Sequence, residues 1–201
     1  MVRQRDGHDD RQEPLPTLVP NDTAGGHGLI AWGIRTAGVQ QGQCPRRLGW
    51  IYADRVDGPG IIHFESNLAR QELPHCSALG KVLLSQLSEK QVRAIVGRTG
   101  LPARTSATIT DVEWLLRELA EARARGFAVD DEEDSEGVFC VAAPVLDRRG
   151  TCVAAISVTG LKLSLPVGGI EGIGQIVRRY AAEISVKMGA GEDAATHKPI
   201  G

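Results

Sequence analysis

Apolar and polar positions change rhythm several times along this chain, and each rhythm marks an element. Trp50-Ile51-Tyr52-Ala53 and Ile61-Ile62-His63-Phe64 are short apolar runs joined by Asp57-Gly58-Pro59-Gly60, the pattern of two strands and a turn. Leu79, Val82, Leu83 and Leu87 recur at helical spacing, with Pro74 near the start. Ser88-Glu89-Lys90-Gln91 has the form of a capping box, and a short helix is expected from it through Val96. A loop follows, GRTGLPARTSAT. Thr110-Asp111-Val112-Glu113 then opens the strongest helix, whose apolar stripe is Val112, Leu115, Leu116, Leu119 and Ala122. Gly126 stands where its C-terminal cap belongs. Phe127-Ala128-Val129 reads as a short strand running into the acids Asp130 to Asp134. Val138 to Val145 and Cys152 to Thr159 are two strands around Asp147-Arg148-Arg149-Gly150, a hairpin signal. A last helix, from about Ile170 to Lys187, carries Ile170, Ile173, Val177, Tyr180 and Ile184 on one side.

The ends lack such rhythm. Residues 1 to about 28 hold Pro14, Pro16, Pro20 and Gly25-Gly26 with few apolar anchors, so disorder is expected there. Leu29 to Arg47 shows no clear period and is assigned no element, and the small, polar tail from residue 189 to 201 is expected to be loose. No internal repeat is present. Helices before, between and after antiparallel hairpins argue for an α+β domain with helices packed on a sheet.

The hairpin has two unlike faces. A four-residue turn at 147–150 sets Leu146 opposite Thr151, and then Cys140 opposite Ser157, Val138 opposite Thr159 and Ala142 opposite Ala155. Those last six share one face. The other face carries Phe139, Val141, Ala143 and Val145 against Cys152, Ala154, Ile156 and Val158, and should pack on helices. Small residues with one thiol and two hydroxyls suit the floor of a ligand pocket, where space and a few hydrogen-bonding groups are needed. They also suit a plain close approach of another element. Slippage by one residue would spoil the pairing.

Composition narrows the function. The net charge is −2 and no dense Lys/Arg run appears, which weakens a nucleic-acid-binding reading of these residues. No apolar stretch reaches the roughly 20 residues that span a bilayer, and the N-terminus lacks the apolar core of a secretory signal. Cys44, Cys76, Cys140 and Cys152 are far apart without CxxC spacing, so they are expected to be reduced thiols in a cytoplasmic protein.

The segments TITD, RGFAVDDEE, GVFCVAAPV and AISVTG, in this order, resemble the effector-binding domain of IclR-type transcription regulators. His75-Cys76-Ser77-Ala78-Leu79-Gly80-Lys81 likewise resembles that family's H-x-[ST]-x-x-G-K helix start, and the likeness covers roughly Trp50 to Met188. The resemblance implies a GAF-like fold, a central antiparallel sheet flanked by helices, in a unit of residues 29–188. It also implies dimers or tetramers, and a small effector held between the helix start and the hairpin face. Carried over by motif position, the effector-binding residues are Ala78, Leu79, Asp130, Val138, Cys140, Ser157 and Thr159. The family carries a winged helix-turn-helix before this domain. The residues before Trp50 are too few and too rich in Pro and Gly for one, so a truncated regulator is expected, reaching DNA only through a partner chain or an absent domain.

Each candidate has a plainer alternative. Asp131, Glu132, Glu133, Asp134 and Glu136 read as a solvated loop, whereas Asp130 at the strand end is expected in the pocket, accepting hydrogen bonds. The acidic run lacks the glycine-centred pattern of a calcium loop, and His75 beside Cys76 is a poor chelate, so no metal and no cofactor are expected. Lys81 after Gly80 is not part of a phosphate loop. Gly80 is expected to let the helix approach the sheet or ligand, and free N–H groups near Ser77, Ala78 and Leu79 would seat a small carboxylate. The function expected is a sensor of a small organic or aromatic acid that modulates oligomer arrangement and hence transcription. The first alternative is an interaction module forming mixed oligomers with intact regulators. A distant one is an enzyme with Cys140 as nucleophile, assisted by His75 or Asp130.

Overall fold

The computed structural model describes residues 29–35, 50–56 and 73–191, the first two segments as backbone only. Within these residues, five strands and four α-helices follow one another: β1 Leu29–Arg35, β2 Trp50–Val56, α1 Ala78–Ser85, α2 Glu89–Thr99, α3 Val112–Arg125, β3 Ala128–Asp131, β4 Val138–Leu146, β5 Cys152–Leu161 and α4 Gly169–Lys187. The strands form one sheet in the order β2-β1-β5-β4-β3, antiparallel at every junction. This is the expected α+β architecture. The Ile61–Phe64 strand, the disorder of residues 1–28 and the region after 191 lie outside the described residues.

Local chemistry explains the helix limits. The Ser77 hydroxyl accepts the Gly80 amide at 3.2 Å, which starts α1. At α2 the capping box is complete: Gln91 N–H donates to the Ser88 hydroxyl, and the Gln91 amide oxygen accepts from Ser88 N–H. Asp111 caps α3 by accepting from Trp114 N–H at 2.8 Å, and Gly126 ends it in the left-handed conformation that a side chain would strain. Leu29–Arg35, to which the pattern assigns no element, is a strand between β2 and β5. Gly33 sits at an irregularity of the β1–β2 pairing, and such a break hides a strand from a search for alternation.

The hairpin keeps its faces but not its register. Cys140 lies opposite Thr159, Ala142 opposite Ser157, Pro144 opposite Ala155 and Val138 opposite Leu161. The loop takes one residue more than expected, since Leu146 pairs with Cys152 rather than Thr151. A bulge then takes another, so that Val145 pairs with Ala154 and Val153 is extra. A single step would have turned every side chain over, whereas two steps restore the faces because strands repeat every second residue. Cys152 lies before the second step. It packs with Leu146, Ala190 and Leu83, not with the apolar face expected for it. The Leu146 amide at the bulge donates to the buried Ser185 hydroxyl of α4 at 2.9 Å.

Two layers flank the β3–β5 part of the sheet. On one side Phe139, Val141, Ala143, Val145 and Ile156 pack with Phe127 against Val177 and Ala181 of α4. On the other side Ala142, Ala155 and Ala128 meet Ala78, Leu79 and Val82 of α1 and Ala122 of α3. Leu84, Val92, Ile95, Leu115 and Leu119 tie α1, α2 and α3 together beyond this second layer.

Candidate functional site

The small-residue face is organised in cross-strand rows. Asp130, Cys140 and Thr159 are direct partners on β3, β4 and β5, and Ala128, Ala142 and Ser157 form the next row. Opposed residues point to the same side of a sheet, so both rows face α1 and α3. The Cys140 thiol and Thr159 hydroxyl lie 3.2 Å apart. Ser157 is buried, and Cys140 packs against the cluster that holds Ala78 and Leu79. Val138 is farther along, opposite Leu161 and half-buried, with its carbonyl accepting from Glu132 N–H at 3.0 Å.

Ala78 and Leu79 open α1, a helix nearly engulfed by its surroundings. Ala78 and Leu79 pack on the sheet, but Gly80 is pressed onto the turn before the helix: a Cβ on it would stand 2.4 Å from the Pro74 carbonyl oxygen. The close approach that Gly80 permits is therefore to Pro74, and this corrects the expectation of contact with sheet or ligand.

Asp130 sits at the end of β3 and is only 3% exposed. Its carboxylate accepts from the backbone N–H groups of Glu133 at 2.8 Å and Asp134 at 3.2 Å, folding the acidic run back on itself. Burial pushes its carboxyl up to about 6, against the opposing pull of the Asp134 and Glu133 amides and of Lys81.

Glu133 corrects a second expectation. It is not a solvated loop residue but 7% exposed, paired with the wholly buried ammonium of Lys81. Glu118 of α3 stands 3.7 Å from the same nitrogen and is itself bonded by Arg125 at 2.7 Å. Burial pushes the Glu133 carboxyl up to about 7, opposed chiefly by Lys81. The acidic segment is also tied to the 102–108 loop. Thr105 and Thr108 hydroxyls donate to the carbonyls of Glu132 at 2.7 Å and Glu133 at 2.6 Å, and Arg104 pairs with Asp134 at 3.2 Å. Asp131 and Glu132 remain on the outside, near Lys162.

One signal pointed to Lys81. It is the sole charge between Cys76 and Leu87, in a helix otherwise fit only for burial. A cation there requires a buried anion, but sequence spacing could not say which of six acids would supply it.

The other titratable groups here are less suited to reaction. His75 Nε2 lies 3.2 Å from the Pro102 carbonyl, and burial lowers its pKa, favouring the uncharged ring. Burial, with Asp134, Asp130 and Glu133 nearby, pushes the Cys76 thiol far up, away from the thiolate that a nucleophile needs. Cys76, Cys140 and Cys152 are free of disulfides. Among the described residues no group of three or more His, Cys, Asp and Glu side chains could hold a metal ion, and no helix is long and apolar enough to cross a membrane.

Solved structures of bacterial transcription regulators share this helix-flanked antiparallel sheet. The Thermotoga maritima IclR structure matches it with a TM-score of 0.67 and 30% identity, covering 81% of this chain and 62% of that one. The C-terminal domain of the E. coli transcriptional regulator KdgR matches with a TM-score of 0.63 and 27% identity, covering 81% and 88%. The family described as "Bacterial transcriptional regulator IclR C-terminal" matches residues 47–186, and the chain belongs to it. Among curated relatives, the HTH-type transcriptional repressor AllR of Escherichia coli (strain K12) is 38% identical over 115 residues, 57% of this chain and 42% of AllR. The chain thus spans less than half the length of that relative.

Proposed function

We propose that residues 29–188 form the ligand-sensing, non-catalytic part of a cytoplasmic IclR-family regulator. A small organic or aromatic acid binds across Ala78, Leu79, Asp130, Val138, Cys140, Ser157 and Thr159. The observation that carries this reading is the Asp130–Cys140–Thr159 row on the sheet face that packs on α1, with Asp130 buried, Cys140 and Thr159 half-buried, and a hydroxyl, a thiol and a carboxyl side by side. The amides at the start of α1 favour an anion over a neutral ligand. Binding changes how the subunits of a homodimer or homotetramer sit, and so changes transcription through DNA-binding elements outside this unit or on a partner chain.

A thermal-shift screen of the full chain against small aliphatic and aromatic acids tests it. An acid at 100 times its Kd stabilises the fold by about 2.7 kcal/mol, and Ser157→Ala or Asp130→Ala should abolish that shift. No shift across a broad panel would sink the sensor reading.

A second reading, an interaction module in mixed oligomers with intact regulators, is favoured by a different feature. Leu163 and Val167 are 98% and 107% exposed in the segment between β5 and α4, and Ile176, Val186 and Met188 are exposed on or just after α4. Co-purification with a full-length relative would support it.

A further inference from the structure

Among the described residues, the charges buried beside the proposed effector site do not balance. Lys81 is the cation enclosed there, and it meets Glu133 of the acidic segment and Glu118 of α3. Glu118 is neutralised by Arg125 on its own helix, and Asp134 by Arg104. Asp131 and Glu132 face Lys162 outside. Burial displaces His75 and Cys76, at the entry to α1, towards their uncharged forms. Among the described residues, that leaves one enclosed positive charge for two enclosed carboxylates, Glu133 and Asp130.

The two carboxylates are not equally satisfied. Asp130 accepts two backbone amides. Glu133 gives one oxygen to Lys81, while its Oε2 is buried and has no hydrogen-bond partner among the described residues. An enclosed, unpartnered carboxylate oxygen costs free energy that a proton on that carboxyl relieves. Asp130 lies next to Cys140 and Thr159 in the row that the effector would touch. A ligand carboxylate arriving there adds a further negative charge where one is already in excess.

We propose that the Lys81–Glu133–Asp130 group takes up one proton when an organic anion binds beside it, so that the anion binds more tightly as the pH falls. The proposal rests on the effector-binding reading above. It also makes Glu133 and Lys81 positioning residues for that site, acting through charge rather than by touching the ligand. The upward displacement of both carboxyls by burial, to about 7 for Glu133 and about 6 for Asp130, puts the proton exchange near neutrality. The direction follows from linkage. The protonated group favours the anion, so binding is strongest below the ligand-free titration midpoint and weakens above it.

Isothermal titration of the full chain with glycolate and with benzoate, each in two buffers of different protonation enthalpy, tests this. From about pH 6 to about pH 8 the Kd should rise roughly tenfold, with close to one proton taken up at the higher pH. Glu133→Gln, checked for an intact thermal transition, should bind with a Kd independent of pH and without proton uptake. Carbon-13 titration of the Glu133 carboxyl in the ligand-free wild-type chain needs no variant. A midpoint in the ordinary carboxylate range, around 4 to 4.5, overturns the proposal. Binding with equal Kd at both pH values, or without proton uptake, overturns it while leaving the effector site standing. No binding of either acid at any pH overturns the effector reading and this proposal with it.

Discussion

The two sides of the β4–β5 hairpin are made from alternate residues of the same strands, yet they are held by different physics. Towards α4 lie Phe139, Val141, Val145 and Ile156, filled in by Phe127 and Val177, an apolar layer in which the Arg125 guanidinium lies over the Phe127 ring. Towards α1 and α3 lie alanines, a thiol and hydroxyls, and at the edge of that layer sit Lys81, Glu133 and Asp130, all buried. The first side draws its stability from shape and apolar area, and single methylenes matter there. The second depends on keeping its buried charges compensated, because a lone buried charge costs more than a lost contact. A protein needing one rigid surface and one responsive surface can build both on a single sheet in this way.

The largest expected effect separates the two sides directly. Lys81→Met removes the cation and leaves Glu133 enclosed without compensation, which should cost about 3–5 kcal/mol in urea unfolding at pH near 8. The cost should shrink towards pH 5, where the stranded carboxyl can take a proton while folded; the sign follows from a folded-state pKa raised above its unfolded value. Lys81→Met combined with Glu133→Leu should recover most of the loss. If the double variant is no better than the single one, the polar side is held by packing after all, and the contrast between the faces fails.

A smaller effect tests the apolar side. Gly174 of α4 lies against the Phe127 ring so closely that a Cβ would stand 2.3 Å from a ring carbon. Gly174→Ala forces the ring or the helix to move and should lower stability by about 1–3 kcal/mol, with little dependence on pH. A marked pH dependence in that variant would mean the two layers are coupled through the sheet.

What could be read from residues alone follows the same division. Capping residues and helical stripes are local, and α2, α3 and α4 lie close to where Ser88, Asp111, Gly126 and the Ile170–Ile184 stripe put them. The hairpin faces were legible for a subtler reason: alternation survives an even shift, so the register was wrong by two residues while the face assignment held. Cys152 marks where that protection ends, at the bulge. Non-local partnerships were not legible. Lys81 and Glu133 are 52 positions apart, and only the packing of α1 against the end of β3 joins them. Leu29–Arg35 gained its strand from neighbours on both sides, which its glycine-broken pattern does not reveal. Of the seven proposed effector residues, Val138, Cys140, Ser157 and Thr159 followed from strand alternation. Ala78, Leu79 and Asp130 came from likeness to the family.

The smallest expected effect on stability is the most informative about function. Ser157 is buried opposite Ala142, and its neighbour Ile156 points into the α4 layer. Removing one hydroxyl from a small-residue face leaves almost no cavity, so Ser157→Ala should change stability by no more than about 1 kcal/mol. Ile156→Ala, one residue away, should cost about 2–5 kcal/mol. If the small face exists to hold a ligand, Ser157→Ala must nonetheless abolish the thermal shift produced by an acid that stabilises the wild type, while a more conservative Ile156→Val preserves it. A Ser157→Ala chain that keeps the full shift would mean that the hydroxyl serves the fold alone. The small residues would then be there to let α1 lie close to the sheet, and the responsive side of the hairpin would have to be sought at Asp130 and Glu133 instead.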